Sequence, residues 1–471
     1  MDGLAELKAL SKLIQDSVEA IEASISAKGL TFPSSTTPFS LESEAGRNLP
    51  EVAQAGSVLV AAATQLITVA RSPMLTVTIA AQQHALSAAL GIATQANAAE
   101  AIREAGPQGA RVNDIARASN IDPSKLARVL RVLATNHIFV EAAPDVFVHN
   151  RVSSVIDTGK SVQALKDSPE TKHVGTFGIA AGIGHVTDEA FKASAHLGDV
   201  LLDPKTAKSD EPNETALNKA FGTTIPVWEW FEDPSNAARL MRFGITMEGS
   251  KQAAPPDAIL HGFEWKDLNP GAIVVDVGGG IGGQSMTLAQ NHSQLKFVVQ
   301  DREPVVRDAA AFWDGQLPGA IKEGRVVLQA HDFFTAQPVK NADVFLLRMI
   351  LHDWADKYCV KILRQLREAA TSTTRLVIVD NLISYACPED SISDIPGAAR
   401  PLPPTPLLAN LGQASAIAYY TDMQMMELLN GKERTITQVR ELMKEAGWKL
   451  VQVHHGVPFA FSIQKAIAVP A

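Results

Sequence analysis

The stretch VVDVGGGIGGQ, Val274 to Gln284, places five glycines in six positions directly behind residues of strand character. Few sequences restrict a fold so much. A glycine-rich turn between a parallel strand and a helix points backbone N–H groups at a ligand, and the missing side chains let that ligand approach the main chain. The text beyond Gly271 fits such a setting. It offers seven candidate strands, AIVVDV, KFVVQ, RVVLQA, ADVFLLR, RLVIVD, KLVQVHH and AFSIQKA, separated by helical text. Runs of Val, Ile and Leu without polar alternation suit strands covered on both faces. The expectation is a C-terminal α/β domain with a mostly parallel, seven-stranded sheet.

The loop narrows the ligand. Gly278 to Gly283 is not followed by the Lys-Ser/Thr of a P-loop, which disfavours nucleotide hydrolysis, and it matches Gly-x-Gly-x-x-Gly only loosely. The next strand ends in Asp301, 19 residues after Gly282, where a carboxylate accepts hydrogen bonds from ribose hydroxyls. A third strand end, LQAHDFF, offers Asp332 and Phe333 for an adenine amine and ring face. Three successive strand ends therefore point to a nucleoside, with NAD and S-adenosylmethionine both open on these residues.

The fourth strand carries a base. Arg348 lies four residues before His352 in LLRMILHDWAD, near the carboxyl end of the strand where open α/β sheets place their chemistry. An imidazole there can take a proton at neutral pH. Two acids stand to flank it: Asp380 closes RLVIVD, and Glu433 lies in NGKERT before another helix. A carboxylate on one ring nitrogen fixes the tautomer and raises the basicity of the other.

The first half of the chain reads differently. Residues 1–50 hold an amphipathic helix with mixed charges and a Ser/Thr/Pro-rich linker or strap over 31–50. The apolar run Ser57 to Ala70 is 14 residues long and polar-interrupted, so it reads as a buried or interface helix and not as a bilayer span. The uncharged helical text MLTVTIAAQQHALSAALGIA predicts burial against a second chain. From Arg111 to Ile156 the order is helix, turn, a helix opening at Asp122-Pro123, then two strands, as in a winged helix. Lys125, Arg128 and Arg131 lie on the second of these helices, yet the segment holds six basic against four acidic residues and the whole chain has net charge −9. That balance excludes general nucleic-acid binding and leaves a packing module. Only Cys359 and Cys387 are present, so a reducing, cytoplasmic compartment is expected, with no disulfide framework or thiolate metal site.

Taken together, DVGGGIGG, LHDWAD and GKERT in this order and spacing resemble the S-adenosylmethionine-dependent O-methyltransferases of the caffeic acid type, a plant and fungal class with a winged-helix dimerisation domain. The likeness runs from about Val52 to the C-terminus. It implies a Rossmann-like methyltransferase domain over 166–471, connecting helices included, preceded by an all-α and winged-helix dimerisation domain over 51–165. It implies that Asp276, Gly278, Gly280, Asp301, Arg302, Asp332, Phe333 and Arg348 hold the cofactor, and that His352 is the base beside Asp380 and Glu433. It further implies that Phe243 and Met247 of RFGITMEG, with Asp353 and Trp354, meet the acceptor, and that the enzyme is a homodimer with a small aromatic or polyketide-like substrate and no membrane or nucleic-acid partner. Trp228, Trp230 and Phe231 are further pocket aromatics by composition. At the first flanking position relatives often carry Glu where this chain has Asp380.

The expected reaction is proton removal from a phenol or enol hydroxyl by His352 with in-line attack on the cofactor's methyl group. Two departures stand out. An insertion near 384–418, with six prolines, follows Asp380 as a surface loop, a lid or a substrate-selecting wall. Some fungal proteins of this likeness keep the cofactor as a fixed charge and catalyse dehydration or pericyclic closure, the alternative chemistry for this chain.

Overall fold

A computed structural model describes residues 2–252, 255, 257–456 and 464–471. The chain forms two compact units. One comprises Met1–Lys208, Asn213–Ala253 and Thr405–Leu407; the other comprises Ser209–Pro212, Ala254–Pro404 and Leu408–Ala471.

The first unit is mainly helical. Asp2 caps α1 (Gly3–Ala27) by accepting the Ala5 N–H at 2.9 Å. α1 packs along α2 (Pro50–Ala70), which opens on a proline, a residue whose missing N–H costs nothing in a first turn. α1 covers only one side of α2. Val52, Ala61 and Ala62 are its buried residues, so α2 is not the buried helix expected from its composition. At 21 residues it is also long and apolar enough to cross a membrane, by length and composition. α3 (Pro73–Ala81) buries no residue; Met74 is 82% and Val77 70% exposed.

Residues 31–50 form a strap. The buried Arg151 guanidinium donates to the carbonyls of Thr37 and Pro38 at 3.2 and 3.1 Å and to Ser43 Oγ at 2.6 Å, and pairs with Glu44. Further along, helices Val112–Ser119 and Pro123–Thr135 precede a hairpin. The second helix is capped by Asp122, which accepts the Lys125 N–H at 3.1 Å. β1 (Ala110–Arg111), β2 (Val140–Ala143) and β3 (Val146–Val148) make a three-stranded sheet in the order β1–β3–β2. Leu126, Leu130, Ile115 and Phe147 close its core. Arg131 is bound by Glu141 and Asp145 at 2.8 Å each.

The helices between 166 and 253 group with this unit and not with the sheet domain in which the sequence placed them. Helix Ile179–His185 packs against Ala237–Gln252 and His84–Gln95, and Phe191–Leu201 against Ala216–Phe221. An amphipathic stripe states that a helix needs a partner without naming one.

The second unit is the expected α/β layer. β4 (Ile273–Val277), β5 (Lys296–Asp301), β6 (Val326–Ala330), β7 (Val344–Arg348) and β8 (Arg375–Asp380) are parallel. β10 (Gln464–Pro470) pairs antiparallel with both β8 and β9 (Trp448–His454), so it alone runs against the other strands, in the order β6–β5–β4–β7–β8–β10–β9. The last strand was predicted to begin at Ala460; residues 460–463 lie outside the described set. Successive residues of each central strand enter opposite cores. Phe345 and Leu347 join one cluster with helix Asp356–Ala369, while Val344 and Leu346 join the other with helices Gly283–Asn291 and Glu303–Gln316. This is why those strands read as unbroken apolar runs. The connections reverse between β4 and β7, so the crevice at their carboxyl ends is the topological switch point.

The insertion is anchored. Ile392, Ile395 and Ala398 are buried in the sheet core. The Val453 N–H of β9 donates to the Pro396 carbonyl at 2.9 Å, and Arg440 donates to the Ser391 carbonyl at 2.9 Å. Residues 391–398 are thereby tied to the sheet, while Thr405–Leu407 group with the helical unit.

Candidate active site

Two loops at the switch point hold most of the residues singled out in the sequence. After β4, Gly278, Gly280 and Gly282 all take positive φ. At Gly280 (φ +61°) nothing stands within 4 Å of where a Cβ would project, so the backbone faces open space, in a conformation that side chains rarely adopt. Its N–H donates to Asp301 Oδ2 at 2.8 Å, and the Arg302 N–H donates to Oδ1 at 2.8 Å. Arg302 itself stands exposed before helix Glu303–Gln316. Asp276 is buried under the loop, where its Oδ2 accepts from Ser285 Oγ at 2.6 Å. Burial pushes its pKa up to about 6 against the pull of that hydrogen bond.

Asp332 is exposed beyond β6 and also serves a turn, accepting the Phe334 N–H at 2.9 Å. Phe333 packs in an edge-on aromatic group with Phe334 and Trp354, to which Tyr358 is joined. Arg348 ends β7, where burial lowers its pKa while Asp276 and Asp380 oppose that shift.

The second loop follows β7. Met349 takes φ +53°, a conformation uncommon for a long side chain, as the chain swings into the short turn Leu351–Asp353. His352 is buried, with Nδ1 2.9 Å from Glu433 Oε1 and Nε2 3.3 Å from Asp353 Oδ1. Burial alone would lower its pKa; Asp353, Glu433 and Asp380 outweigh that and push it up to about 10. Burial raises Asp353 and Asp380 to about 6 each, with the imidazolium pulling both the other way. Asp380 lines the same small cavity as His352 and Glu433, yet no hydrogen bond joins it to the imidazole among the described residues. Its Oδ1 and Glu433 Oε2 are buried without hydrogen-bond partners among the described residues.

Arg434 holds this turn in place. Its guanidinium donates to the carbonyls of Leu351 and Trp354, one on each side of His352, at 2.7 Å each, and forks onto Asp356 Oδ1 at 2.9 and 2.8 Å. Lys432 adds a main-chain bond to the His352 carbonyl at 2.9 Å.

Comparison with known proteins fits this geometry. Residues 196–394 match the model of the O-methyltransferase domain family. An O-methyltransferase of Armillaria gallica is 43% identical over 453 residues, covering 96% of each chain. The chain belongs to the O-methyltransferase family. The 4-O-methyltransferase 1 of Phanerochaete chrysosporium is 40% identical, with 99% of each chain covered. A solved pericyclic reaction enzyme superposes with TM-score 0.65 at 20% identity, covering 88% of this chain and 94% of its own, a likeness of fold.

The methyltransferase uses S-adenosylmethionine. The loop residues fit that molecule: Asp301 stands at the strand end for a ribose, and Asp276 and Asp332 add acids that suit a positive sulfonium. Membership of the family closes the NAD reading left open by the sequence.

Of the residues singled out in the sequence, the sheet domain brings His352, Asp353, Asp380 and Glu433 into one cluster. It sets Asp276, Gly278, Gly280, Asp301 and Phe333 around the neighbouring loop. Asp353, expected beside the acceptor, is the nearer acid to Nε2, whereas Asp380 stands off. Phe243 lies in the helical unit, packed with His185, Trp228 and Phe231, and Met247 is 40% exposed on the same helix. Trp230 and Phe231 are core residues of that unit. The sequence did not single out Arg434, whose partners are mostly main-chain carbonyls.

Proposed function

We propose that this O-methyltransferase methylates a hydroxyl of a small aromatic acceptor, with His352 as the base. One observation carries the reading: a buried imidazole at the switch point, held through Nδ1 by Glu433 at 2.9 Å, beside the glycine loop. Glu433 takes the Nδ1–H and so fixes the tautomer that leaves Nε2 for the acceptor hydroxyl. An acceptor that displaces Asp353 from Nε2 removes one of the charges holding a proton there. With that charge removed the proton affinity of the ring falls, which leaves Nε2 able to take the proton of a phenol hydroxyl. The cofactor, when bound, would supply an electrophilic methyl group and leave as S-adenosylhomocysteine. The hydroxyl proton passes to His352 Nε2, and Arg434 keeps the turn fixed meanwhile. Asp276, Gly278, Gly280, Asp301, Asp332, Phe333 and Arg348 are assigned to cofactor binding, with Arg302 at the rim, and Asp353 and Trp354 to the acceptor.

Labelled S-adenosylmethionine and a phenol panel test the reading. Methylated product and S-adenosylhomocysteine should form together, and His352→Ala should abolish both. The high proton affinity of His352 favours one competing reading, acid-catalysed dehydration on the same scaffold, in which an aliphatic alcohol added to the panel loses water and no S-adenosylhomocysteine forms.

We further propose a homodimer built on the module of β1–β3 and the N-terminal helices. Val60, Ile67, Met74, Leu75 and Val77, exposed on α2 and α3, support a second copy as their cover. Light scattering tests it. A cytoplasmic location is proposed on the two free thiols, Cys359 and Cys387.

A further inference from the structure

Glu433 is held at two points. Its side chain meets His352 Nδ1 at 2.9 Å, and its main-chain N–H donates to Asp422 Oδ1 at 2.8 Å. The residues on either side of it are tied to the turn of the base: the Lys432 N–H donates to the His352 carbonyl, and the Arg434 guanidinium to the carbonyls of Leu351 and Trp354. The Glu433 N–H is tied to a different element, helix Ala416–Leu429, which carries Asp422.

Nothing in that helix calls for an acid at 422. Asp422 stands in the middle of 14 helical residues, where aspartate is a weak helix former, and beyond the first turn, where a helix favours negative charge. Its hydrogen bond goes instead to Glu433, eleven residues on, because Asn430 ends the helix at φ +53° and the chain returns past Asp422. A residue that departs from local preference in favour of a distant contact points to a role outside its own helix.

A carboxylate that accepts a main-chain N–H makes a charge-assisted bond, stronger than a neutral one. The bond fixes the peptide plane between Lys432 and Glu433, and so the direction in which the Glu433 side chain leaves the backbone. Burial raises the pKa of Asp422; the bond from the Glu433 N–H opposes that, the Glu433 charge adds to it, and Lys432 and Arg434 act with the bond. The acids that raise the proton affinity of His352 are Asp353, Glu433 and Asp380, and Asp422 stands behind the second of them.

We propose that Asp422 is a positioning residue for methyl transfer: through the Glu433 N–H it fixes the carboxylate that orients His352. The inference rests on the reading of His352 as base. Both Asp422 and Glu433 line a pocket of about 400 Å³, so water can take the N–H when Asp422 is shortened, and the fold should survive the loss of the tie.

The test compares Asp422→Ala, which removes the acceptor, with Asp422→Asn, which keeps an acceptor oxygen and removes the charge. In the alanine variant kcat should fall at least about tenfold, and the acid limb of the kcat/KM profile should move to lower pH as Glu433 loosens its hold on the ring. Asp422→Asn should recover most of both. Amide exchange across 430–436, read by mass spectrometry, should quicken in the alanine variant and not in the asparagine variant. Affinity for S-adenosylhomocysteine should stay within about twofold in each, since the loop at Gly280 and Asp301 is untouched. In a Glu433→Gln background Asp422→Ala should change kcat by less than about threefold, because coupled residues do not add. Asp422→Leu, near in size and without an acceptor, replaces the alanine variant if that one fails to melt cooperatively. A lowered Tm with the wild-type pH profile, an asparagine variant as slow as the alanine one, or full additivity with Glu433→Gln would each overturn the positioning role. Unimpaired methyl transfer by His352→Gln would overturn the base itself, whereas unchanged exchange in Asp422→Ala would overturn the tie, so the two failures are told apart.

Discussion

Gly431 meets the turn of His352 so closely that a methyl group on its α-carbon would overlap the His352 carbonyl oxygen and stand 2.8 Å from the carbonyl carbon of Asp353. The loop bearing Glu433 and the turn bearing the base are thereby set at one fixed separation. Gly431→Ala should force them apart, costing about 1–3 kcal/mol of stability, as overpacking does. Methyl transfer should fall at least tenfold, because a misplaced base loses its reach. Thermal melting and product formation measure the two effects, and wild-type values in both would disprove the coupling.

His352→Gln retains size and hydrogen bonding but cannot accept the hydroxyl proton. Turnover should drop by about 10²–10⁴, the usual worth of a positioned base. Affinity for S-adenosylhomocysteine should stay within twofold, since the loop at Gly280 and Asp301 does not involve the imidazole.

Glu433→Gln removes a charge that raises the proton affinity of His352. The rate rises with pH as the imidazole loses its proton, so the acid limb of the kcat/KM profile should shift to lower pH in this variant. Its plateau should fall about tenfold, since a neutral amide stabilises the developing imidazolium less. A profile that does not move would remove Glu433 from its assigned part.

The same elevated pKa bears on stability. On folding, the imidazole goes from about 6.5 to about 10, so its protonated form contributes fully below pH 6.5 and that contribution fades as pH climbs through 10. The difference in Tm between wild type and His352→Gln should be largest near pH 6 and shrink by pH 10. Calorimetry across that window checks the sign.

Asp301→Ala deletes the carboxylate that takes both the Gly280 and Arg302 N–H groups. Hydrogen bonds to a charged group are worth about 1.5–3 kcal/mol, so cofactor affinity should weaken by about 10–100-fold. Titration with S-adenosylhomocysteine measures it, with circular dichroism confirming that the fold persists.

Features that depend on one short stretch were readable in the text. The loop at Gly278–Gly283 takes the positive φ that its glycines permit, the acid Asp301 closes its strand, and His352 follows β7 in the next short turn. The unbroken apolar runs announced a sheet covered twice, and the core divides along them residue by residue. Contacts set by three-dimensional packing were not readable. Arg434 lies in the quoted GKERT, yet it bonds mostly to carbonyls, which every residue possesses, so its partners could not be read. Asp353 rather than Asp380 comes nearest to Nε2 because the tight turn after Met349 folds a sequence neighbour back onto the ring. The allegiance of the helices between 166 and 253 was hidden for a similar reason, and so was the openness of α2, whose apolar text says what could be covered without saying what covers it.

Strand β9 is the rim of the sheet, and a rim strand with free amides invites another chain to add to it. The docked segment around Pro396 takes the Val453 amide and sinks Ile392 and Ile395 below the surface, so that invitation is withdrawn where they sit. Natural variation in the loop that follows can then reshape its walls for new chemistry without making the protein prone to fibrous self-association.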